Sequence, residues 1–265
     1  MTTCLTVIDA RLSFGETSVL EGLNLTIAKG EIVAIVGRSG CGKTTLLRSI
    51  CALVPLHSGE VMFQSQKIIE GGKPLYEEWE IRRKIMYVAQ IPTLLPHLSV
   101  LSNISLGLQL VRGVSASKAA SLAEAAAANL HLGSKIHRYP EELSGGEVQR
   151  VQLLRAMVLQ PDVLLLDEIT ANIDPETTRD VVEALWLLRE QTQETQSILI
   201  VTHILDFAEH FADRIAFMHE GIIYEEGPAR TFRQLAQSEA TQRFLTSTTI
   251  PLSGATWRSQ HAKRT

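Results

Sequence analysis

The sequence predicts an α/β fold in which short, buried parallel strands alternate with helices. Apolar runs at 163–166 and 198–201 lack polar alternation and are separated by helical stretches, which is typical of parallel strands covered on both faces. A further apolar run at 32–36 leads into a glycine-rich loop and then into a helical stretch at 45–50. Because ligands bind at the carboxyl ends of strands in such sheets, we expect functional residues directly after these runs.

The loop after the run at 32–36 matches the complete pattern G-x-x-x-x-G-K-[ST], in the strand-loop-helix context that this pattern requires. A glycine-rich turn that arose by chance would not require a strand before it and a helix after it, so this context argues against that interpretation. Its backbone N–H groups and the positive end of the following helix would cradle a β-phosphate. Lys43 would reach the β- and γ-oxygens, and the Thr44 hydroxyl would ligand Mg²⁺. The residues expected to bind a nucleotide here are Gly37, Arg38, Ser39, Gly40, Cys41, Gly42, Lys43, Thr44 and Thr45.

The composition is that of an ordinary globular protein, with 45% hydrophobic and 20% charged residues among 265. A net charge of −4 gives no basic surplus, so we expect no nucleic-acid partner. The three cysteines form no C-x-x-C pair, which argues against a zinc site and a disulfide framework and suits a reducing cytoplasm. No signal peptide and no membrane span are expected, because no basic start or long apolar run occurs.

The order of β-type and helical stretches predicts how the chain is organised. Runs at 5–10 and 20–27 predict strands, whereas the region from 90 to 161 is helical and is expected to form a subdomain inserted into the core. In its alanine-rich stretch, Leu122 and Leu130 are expected to be the large apolar anchors. A final helical stretch is predicted through Phe232, Leu235 and Phe244. We predict one domain over 1–247, with the core at 1–90 and 161–247, a helical subdomain at about 91–160, and a polar, flexible tail at 248–265.

Two adjacent carboxylates, Asp167 and Glu168, follow the apolar run at 163–166. Such pairs often serve solubility alone, but a phosphate loop upstream in the same core favours a catalytic interpretation. Asp167 would hold the hydration shell of Mg²⁺, and Glu168 would polarise the attacking water, a role that typically contributes about 10²–10⁴ in rate. His203 follows the run at 198–201. A lone histidine is usually structural, yet this position favours a hydrogen bond to a γ-phosphate and the lytic water.

A second anion site is predicted at 143–147, where Leu-Ser-Gly-Gly-Glu precedes a helix. The Ser144 hydroxyl, the backbone amides of Gly145 and Gly146 and the helix dipole would all attract phosphate. Taken alone, an ordinary helix cap would explain the same residues. Two phosphate-binding helix starts in one chain suggest instead that two copies meet head-to-tail and that each closes the site of the other.

Together these residues resemble the ATP-binding-cassette family from about Leu5 to Leu245. The motifs stand in the order of that family: phosphate loop, Gln90, signature at 143–147, carboxylate pair and His203. The resemblance implies a P-loop NTPase core with an N-terminal antiparallel β subdomain and an inserted α-helical subdomain. It also implies that Gln90 ligands Mg²⁺ and that Phe14 stacks on adenine. It further implies that Ser144, Gly145, Gly146 and Glu147 face the γ-phosphate held by the other subunit, and that Asp174 belongs to a loop at the dimer interface.

Several positions depart from the usual pattern of the family. Glu147 stands where glutamine is common, Ile169 where proline usually follows the glutamate, and Ala89 where a bulky aromatic residue is usual; the loop at 171–174 also differs. None of these changes removes a group expected to touch phosphate or metal. ATP hydrolysis therefore remains the expectation, and the departures bear on coupling across the dimer.

The resemblance implies an ATPase subunit that dimerises around two Mg-ATP molecules to power transport. Its expected partners are a second copy of the chain, integral membrane permease subunits and, indirectly, a solute-binding protein, at the cytoplasmic face of the inner membrane. The stretches at 94–104 and 139–143 look most like those of bacterial importers of polar amino acids. A maleimide at Cys41 is expected to block ATPase activity, with ATP protecting, unless this small side chain faces the core.

Three alternative functions remain open at this point. The chain could energise the transport of another solute or of lipid. It could act as a soluble cassette protein in repair or translation, although such proteins usually carry two cassettes or a long coiled-coil insertion. A kinase or GTPase on the same core would leave the second anion site without purpose, and the guanine-reading sequence N-K-x-D does not occur.

Overall fold

The structure is a computed structural model that describes residues 2–170, 175–191 and 196–248, with the backbone alone at 175–177, 188–191 and 248. The strands in chain order are β1 (Thr3–Phe14), β2 (Thr17–Ala28), β3 (Ile32–Val36), β4 (Ser58–Phe63), β5 (Gln66–Glu70), β6 (Lys73–Pro74), β7 (Ile85–Val88), β8 (Val163–Asp167), β9 (Ser197–Val201), β10 (Arg214–His219) and β11 (Ile222–Pro228). The helices are α1 (Lys43–Ile50), α2 (Glu78–Lys84), α3 (Val100–Arg112), α4 (Ala116–Asn129), α5 (Gly145–Met157), α6 (Pro175–Gln191), α7 (Leu205–Phe211), α8 (Phe232–Leu235) and α9 (Glu239–Thr248).

The strands form two sheets of different kinds. An antiparallel sheet has the order β2-β1-β4-β5-β6, and a second sheet has the order β11-β10-β3-β9-β8-β7. In the second sheet every neighbouring pair from β10 to β7 is parallel, and only β11 runs antiparallel to its neighbour. Helices α3, α4 and α5 all lie between β7 and β8 in the chain, and β7 is the edge strand, so the helical insertion enters at one edge of the parallel sheet.

The parallel strands are buried on both faces, as their unalternated apolar sequences predict. In β3, Ala34 packs into one hydrophobic cluster and its neighbours Val33 and Ile35 into the other. The first cluster contains residues of α3 to α7, and the second contains α1 and the antiparallel sheet. Since successive side chains of a strand point to opposite faces, each strand joins both clusters and sits between two covering layers.

The first hairpin is longer than the sequence runs at 5–10 and 20–27. The pairing of β1 with β2 continues to the pair Phe14–Thr17, past the polar residues Arg11 and Ser13 that interrupt the apolar run. Leu12 between them is buried while Arg11 is exposed. A sheet with one solvated face accepts such alternation, so polar residues do not end the strand.

The alanine-rich helix α4 packs differently from the prediction. Leu122 is 44% exposed, so it is not an anchor, whereas Ala119, Ala123 and Ala127 are fully buried. Their spacing of four residues places the three alanines on one face, where small side chains allow close packing. Leu130, just after the helix, is buried as expected.

The final helical stretch is divided into two helices, α8 and α9. Phe232 and Phe244 are buried, whereas Leu235 at the end of α8 is 58% exposed.

Within the described part of the chain, no helix combines the length and the apolar character that crossing a membrane requires.

Candidate functional site

The carboxyl ends of four parallel strands meet at one edge of the sheet. The glycine-rich loop follows β3, Gln90 lies two residues after β7, Asp167 ends β8, and His203 lies two residues after β9. This convergence follows from the parallel pairing of β7, β8, β9 and β3, because parallel strands end on the same side. The sequence prediction that these residues share one edge is therefore in accord with their placement.

The glycine-rich loop is shaped by Gly42, the N-cap of α1. Its φ of 104° lies in the region that favours glycine, and a Cβ at this position would stand 2.6 Å from the carbonyl oxygen of Val19. The Lys43 ammonium donates to the carbonyl oxygens of Gly37 at 2.9 Å and Arg38 at 2.8 Å. Lys43 thus lies folded inside the loop, where phosphate oxygens could replace these carbonyl partners.

The remaining loop residues differ in their access to solvent. Arg38, Ser39 and Gly40 are exposed, whereas Cys41 and Thr45 are half-buried. Burial raises the pKa of the Cys41 thiol, and the nearby Lys43 opposes part of that rise. Because only the thiolate reacts with a maleimide, the raised pKa slows labelling at neutral pH. The expectation that ATP protects Cys41 stays a prediction.

Asp167 is fully buried, and both of its carboxylate oxygens accept hydrogen bonds. The Thr44 hydroxyl donates to Oδ1 at 2.9 Å, and the Tyr87 hydroxyl donates to Oδ2 at 2.7 Å. Arg48 Nε in turn donates to the Tyr87 oxygen at 3.2 Å. Burial and the contact with Asp167 raise the pKa of Tyr87 to about 12, although Arg48 opposes this, so the phenol remains a donor at neutral pH. These bonds hold Asp167 beside Thr44.

Tyr87 is a member of this site that motif reasoning missed. It lies on β7, 80 residues before Asp167 in the chain, and neither the phosphate loop nor the carboxylate pair points to it. Its one sequence signal is a phenol inside a short apolar run, Ile-Met-Tyr-Val at 85–88. A half-buried hydroxyl in such a run usually has a polar partner.

Glu168 is placed by an unusual backbone conformation. Its φ of 43° is positive, and its N–H donates to the carbonyl oxygen of Val201 at 3.0 Å. Its Oε2 accepts a hydrogen bond from Gln90 Nε2 at 3.3 Å and lies 3.8 Å from His203 Nδ1. The His203 side chain is 56% exposed and that of Glu168 21% exposed, so both can be reached from solvent. A carboxylate in this position can accept a proton from a bound water.

The predicted signature turn forms a capping box at the start of α5. Glu147 N–H donates to Ser144 Oγ at 3.3 Å, and Ser144 N–H donates to Glu147 Oε2 at 2.9 Å. Lys135 lies 3.4 Å from Glu147 Oε1. Burial alone would raise the pKa of Glu147, but the Ser144 N–H and Lys135 outweigh it and lower that pKa. Among the described residues, a Cβ at Gly145 would meet no atom within 4 Å, so the space beside Gly145 is open, whereas the next residue, Gly146, is buried.

One further predicted residue, Phe14, lies apart from these contacts. Phe14 ends β1 with 57% of its surface exposed, as an aromatic ring available for stacking would be. Asp174, together with the departures at 171–173, lies outside the described residues. Ile169, which follows Glu168, is 2% exposed and belongs to the hydrophobic core.

The oxygen ligands at the sheet edge fit a hard cation that arrives with phosphate. The Thr44 hydroxyl and the Asp167 carboxylate are the ligand types that Mg²⁺ accepts, and their oxygens lie 2.9 Å apart. In the part of the chain that the structure describes, no group of three or more His, Cys, Asp or Glu side chains could hold a metal alone. Mg²⁺ usually keeps waters and binds through one or two protein groups plus substrate phosphates, which matches this sparse set.

Comparison with known proteins places the chain among transporter ATP-binding subunits. The model of the family described as ABC transporter matches residues 20–171. The glutamine transport ATP-binding protein GlnQ of Escherichia coli K12 is 38% identical, and the match covers 88% of this chain and 94% of GlnQ. The arginine transport ATP-binding protein ArtM of Bacillus subtilis is 36% identical, with 88% and 95% covered. The L-cystine transport ATP-binding protein TcyN of Escherichia coli K12 is 38% identical, with 88% and 93% covered.

Solved structures agree with this placement at the level of the fold. The ADP conformation of an ATP-binding cassette of an ABC transporter superposes with a TM-score of 0.75 at 24% identity, covering 92% of this chain and 99% of that one. A nucleotide-free cassette gives a TM-score of 0.72 at 24% identity, covering 92% and 95%. The predicted cassette fold is confirmed, and the chain belongs to the ABC transporter family as one of its nucleotide-binding ATPase subunits.

Proposed function

We propose that the chain hydrolyses Mg-ATP at the edge of its parallel sheet to power the import of polar amino acids through a membrane permease. The observation that carries this proposal is the pair of side-chain contacts that join different strand ends. Thr44 bonds to Asp167 across the ends of β3 and β8, and Gln90 bonds to Glu168 across the ends of β7 and β8. The phosphate loop and Glu168, the carboxylate proposed as the base, therefore lie at the same edge of the parallel sheet.

The loop 37–45 binds the phosphates, with Lys43 exchanging its carbonyl partners for β- and γ-oxygens. Thr44, Asp167 and Gln90 would hold Mg²⁺, which would neutralise charge on the phosphates. Glu168 accepts the proton of the attacking water, and Gln90 fixes the carboxylate that does so. His203 donates to the γ-phosphate, and Phe14 stacks on adenine.

Two copies of the chain complete each site. Ser144, Gly145 and Gly146 of one copy face the γ-phosphate held by the other, Glu147 belongs to the same signature turn, and Asp174 lies at the same interface. The open space beside Gly145 supports this arrangement, because no atom of the described residues lies within 4 Å of a Cβ built there. A γ-phosphate bound by both copies only in the closed dimer supplies the differential affinity that drives closure.

The partners are permease subunits in the membrane and, through them, a solute-binding protein, with this chain at the cytoplasmic face of the inner membrane. The names of the relatives, which transport glutamine, arginine and L-cystine, support polar amino acids as the cargo. In this arrangement residues 1–247 are one cassette whose helical subdomain at about 91–160 contacts the permease.

The test is to purify the chain from detergent-solubilised membranes of its own host and to reconstitute the assembly in proteoliposomes. We expect a permease to co-purify and the ATPase rate to rise when glutamine, arginine or cystine is supplied with the binding protein. An assembly containing Glu168→Gln is the control for background hydrolysis. Stimulation only by a solute of another class would contradict amino-acid import, and co-purification with ribosomes or DNA would favour a soluble cassette protein.

A further inference from the structure

Three polar side chains of α5 face the backbone of the segment 89–93, which contains Gln90. They are Gln149, Gln152 and Arg155, and their spacing of three residues places them along one side of the helix. Gln149 is 4% and Gln152 2% exposed. A buried amide side chain needs hydrogen-bond partners for both its N–H groups and its oxygen. The partners of these two amides therefore show which backbone segments they fix in place.

Gln152 holds the segment 89–93 at both ends. Its Nε2 donates to the carbonyl oxygen of Ala89 at 2.7 Å, and its Oε1 accepts from the N–H of Thr93 at 2.7 Å. One side chain therefore satisfies an acceptor before Gln90 and a donor after it. The oxygen of the neighbouring Gln149, by contrast, has no hydrogen-bond partner among the residues that the structure describes. Of the two buried amides, Gln152 is the one whose donor and acceptor are both used.

The other two side chains reinforce the same contact. Arg155 donates to the carbonyl oxygen of Thr93 at 2.8 Å and to its hydroxyl at 2.9 Å. Gln149 Nε2 donates to the carbonyl oxygen of Ile169 at 2.9 Å and lies 3.5 Å from that of Gln90. One face of α5 therefore touches the backbone next to Glu168 as well as the backbone around Gln90.

The helix that makes these contacts begins at the signature turn. Gln152 lies eight residues after Ser144, which is about 12 Å along a helix at about 1.5 Å per residue. Because α5 is short and rigid, a movement of its first turn at Ser144 would also move Gln152. The segment 89–93, which is bonded to Gln152, would then follow. Apolar contacts alone would let the segment slide, whereas two opposed hydrogen bonds fix its register.

We propose that Gln152 is a positioning residue that fixes the segment 89–93 to α5, so that Gln90 stays in reach of Glu168 and follows the signature turn when the dimer closes. This proposal deepens the proposed ATPase function and rests on it. Gln152 touches neither Glu168 nor Lys43 in the structure, so its effect on hydrolysis is transmitted through the backbone of Ala89 and Thr93.

The test uses Gln152→Met, which keeps the volume of the side chain and removes both hydrogen bonds. We expect hydrogen exchange at the Thr93 amide to accelerate at least about tenfold, since its acceptor is lost, while exchange in the rest of α5 stays unchanged. The kcat for ATP hydrolysis should fall about five- to twentyfold, with the Kd for Mg-ATP within about twofold of wild type. Gln109→Met on α3 is the matched control and should change none of these values.

Unchanged protection of Thr93 would overturn the proposal, and so would a loss of nucleotide affinity equal to the loss of kcat, which indicates general damage. If Gln152→Met does not fold, Gln152→Asn replaces it, because its amide is one methylene shorter and cannot span both partners. A wild-type chain without ATPase activity would contradict the proposed function instead. The Thr93 exchange rate would still decide whether Gln152 holds the segment.

Discussion

The cluster at the sheet edge and the signature turn are both expected to bind phosphate, yet they are built in opposite ways. At the sheet edge, bonds between separate elements hold the side chains together, as between Thr44 and Asp167 or between Gln90 and Glu168. At the signature turn, Ser144 and Glu147 bond to each other, and Lys135 lies beside them. The first region is assembled within one chain, whereas the second is presented at a surface.

Two glycines show the same contrast. Gly42 is required by its own chain, because its φ is positive and a Cβ would collide with the carbonyl oxygen of Val19. A Cβ built at Gly145 would meet no described atom within 4 Å, so no packing among the described residues requires a glycine there. In the proposed dimer, the second copy would approach Gly145 from outside. Gly145 is therefore the position at which the proposed dimer can be tested without disturbing the packing of the chain itself.

The largest expected effect comes from the sheet edge. Glu168→Gln should lower the ATPase rate by about 10²–10⁴, because the proton acceptor is lost, and should leave ATP binding intact and the closed dimer trapped. Single-turnover hydrolysis and size-exclusion chromatography with ATP measure the two effects. Glu220→Gln is the matched control, since Glu220 also has a positive φ, 46°, but is exposed. An unchanged rate in Glu168→Gln would remove Glu168 from its role.

The next effect separates stability from activity at the signature turn. Gly145→Ala should fold as well as wild type or better, because alanine favours a helix over glycine by up to about 1 kcal/mol. Its ATPase rate should nevertheless fall at least about tenfold, equivalent to about 1.4 kcal/mol, because the methyl group blocks the approach of the partner. Thermal unfolding and steady-state ATPase assays measure both. Full activity would mean that no partner comes close to Gly145.

A smaller effect is expected from the hydrogen bond that the motifs did not reveal. Tyr87→Phe removes the donor to Asp167 Oδ2 and should raise the Mg²⁺ concentration for half-maximal ATP binding about tenfold, because loss of a hydrogen-bond partner of a metal ligand typically weakens metal binding by about 10–100-fold. Equilibrium binding of a fluorescent ATP analogue across a Mg²⁺ titration measures it. Since the pKa of Tyr87 is about 12, the difference should stay constant from pH 6 to pH 9. Equal Mg²⁺ dependence in both proteins would show that Tyr87 only fills space.

The smallest effect concerns the charge at the signature turn. The folded chain lowers the pKa of Glu147 from 4.5, so this carboxylate stabilises the fold above its ordinary pKa and loses that effect as the pH falls through the lowered value. Glu147→Gln should therefore lower the free energy of unfolding by about 0.3–1 kcal/mol at pH 7 and by less below pH 4.5. Urea unfolding at pH 7 and pH 3.5 tests this. An effect that grows at low pH would contradict the assignment.

Sequence reasoning predicts the parts of this molecule that depend on local pattern. The unalternated strands, the glycine-rich loop and the positions after strands 163–167 and 197–201 follow from apolar runs and motif context. Contacts between distant residues do not follow in this way. The bond from Tyr87 to Asp167 joins residues 80 apart and requires the pairing of β7 with β8, for which no motif exists. Leu122 shows a second limit. Its size predicts that it anchors α4, but the structure exposes it and buries the alanines of that helix instead.

The most direct test of the shared site mixes two inactive variants. Lys43→Ala damages the phosphate loop and Ser144→Arg blocks the signature turn, so each homodimer should hydrolyse almost no ATP. A heterodimer of the two has one site built from an intact loop and an intact signature turn. We predict that mixing the purified variants restores ATPase activity, with a maximum near equal proportions. Activity that stays at the level of the separate variants, in a mixture shown to form heterodimers, would contradict a site shared between two copies.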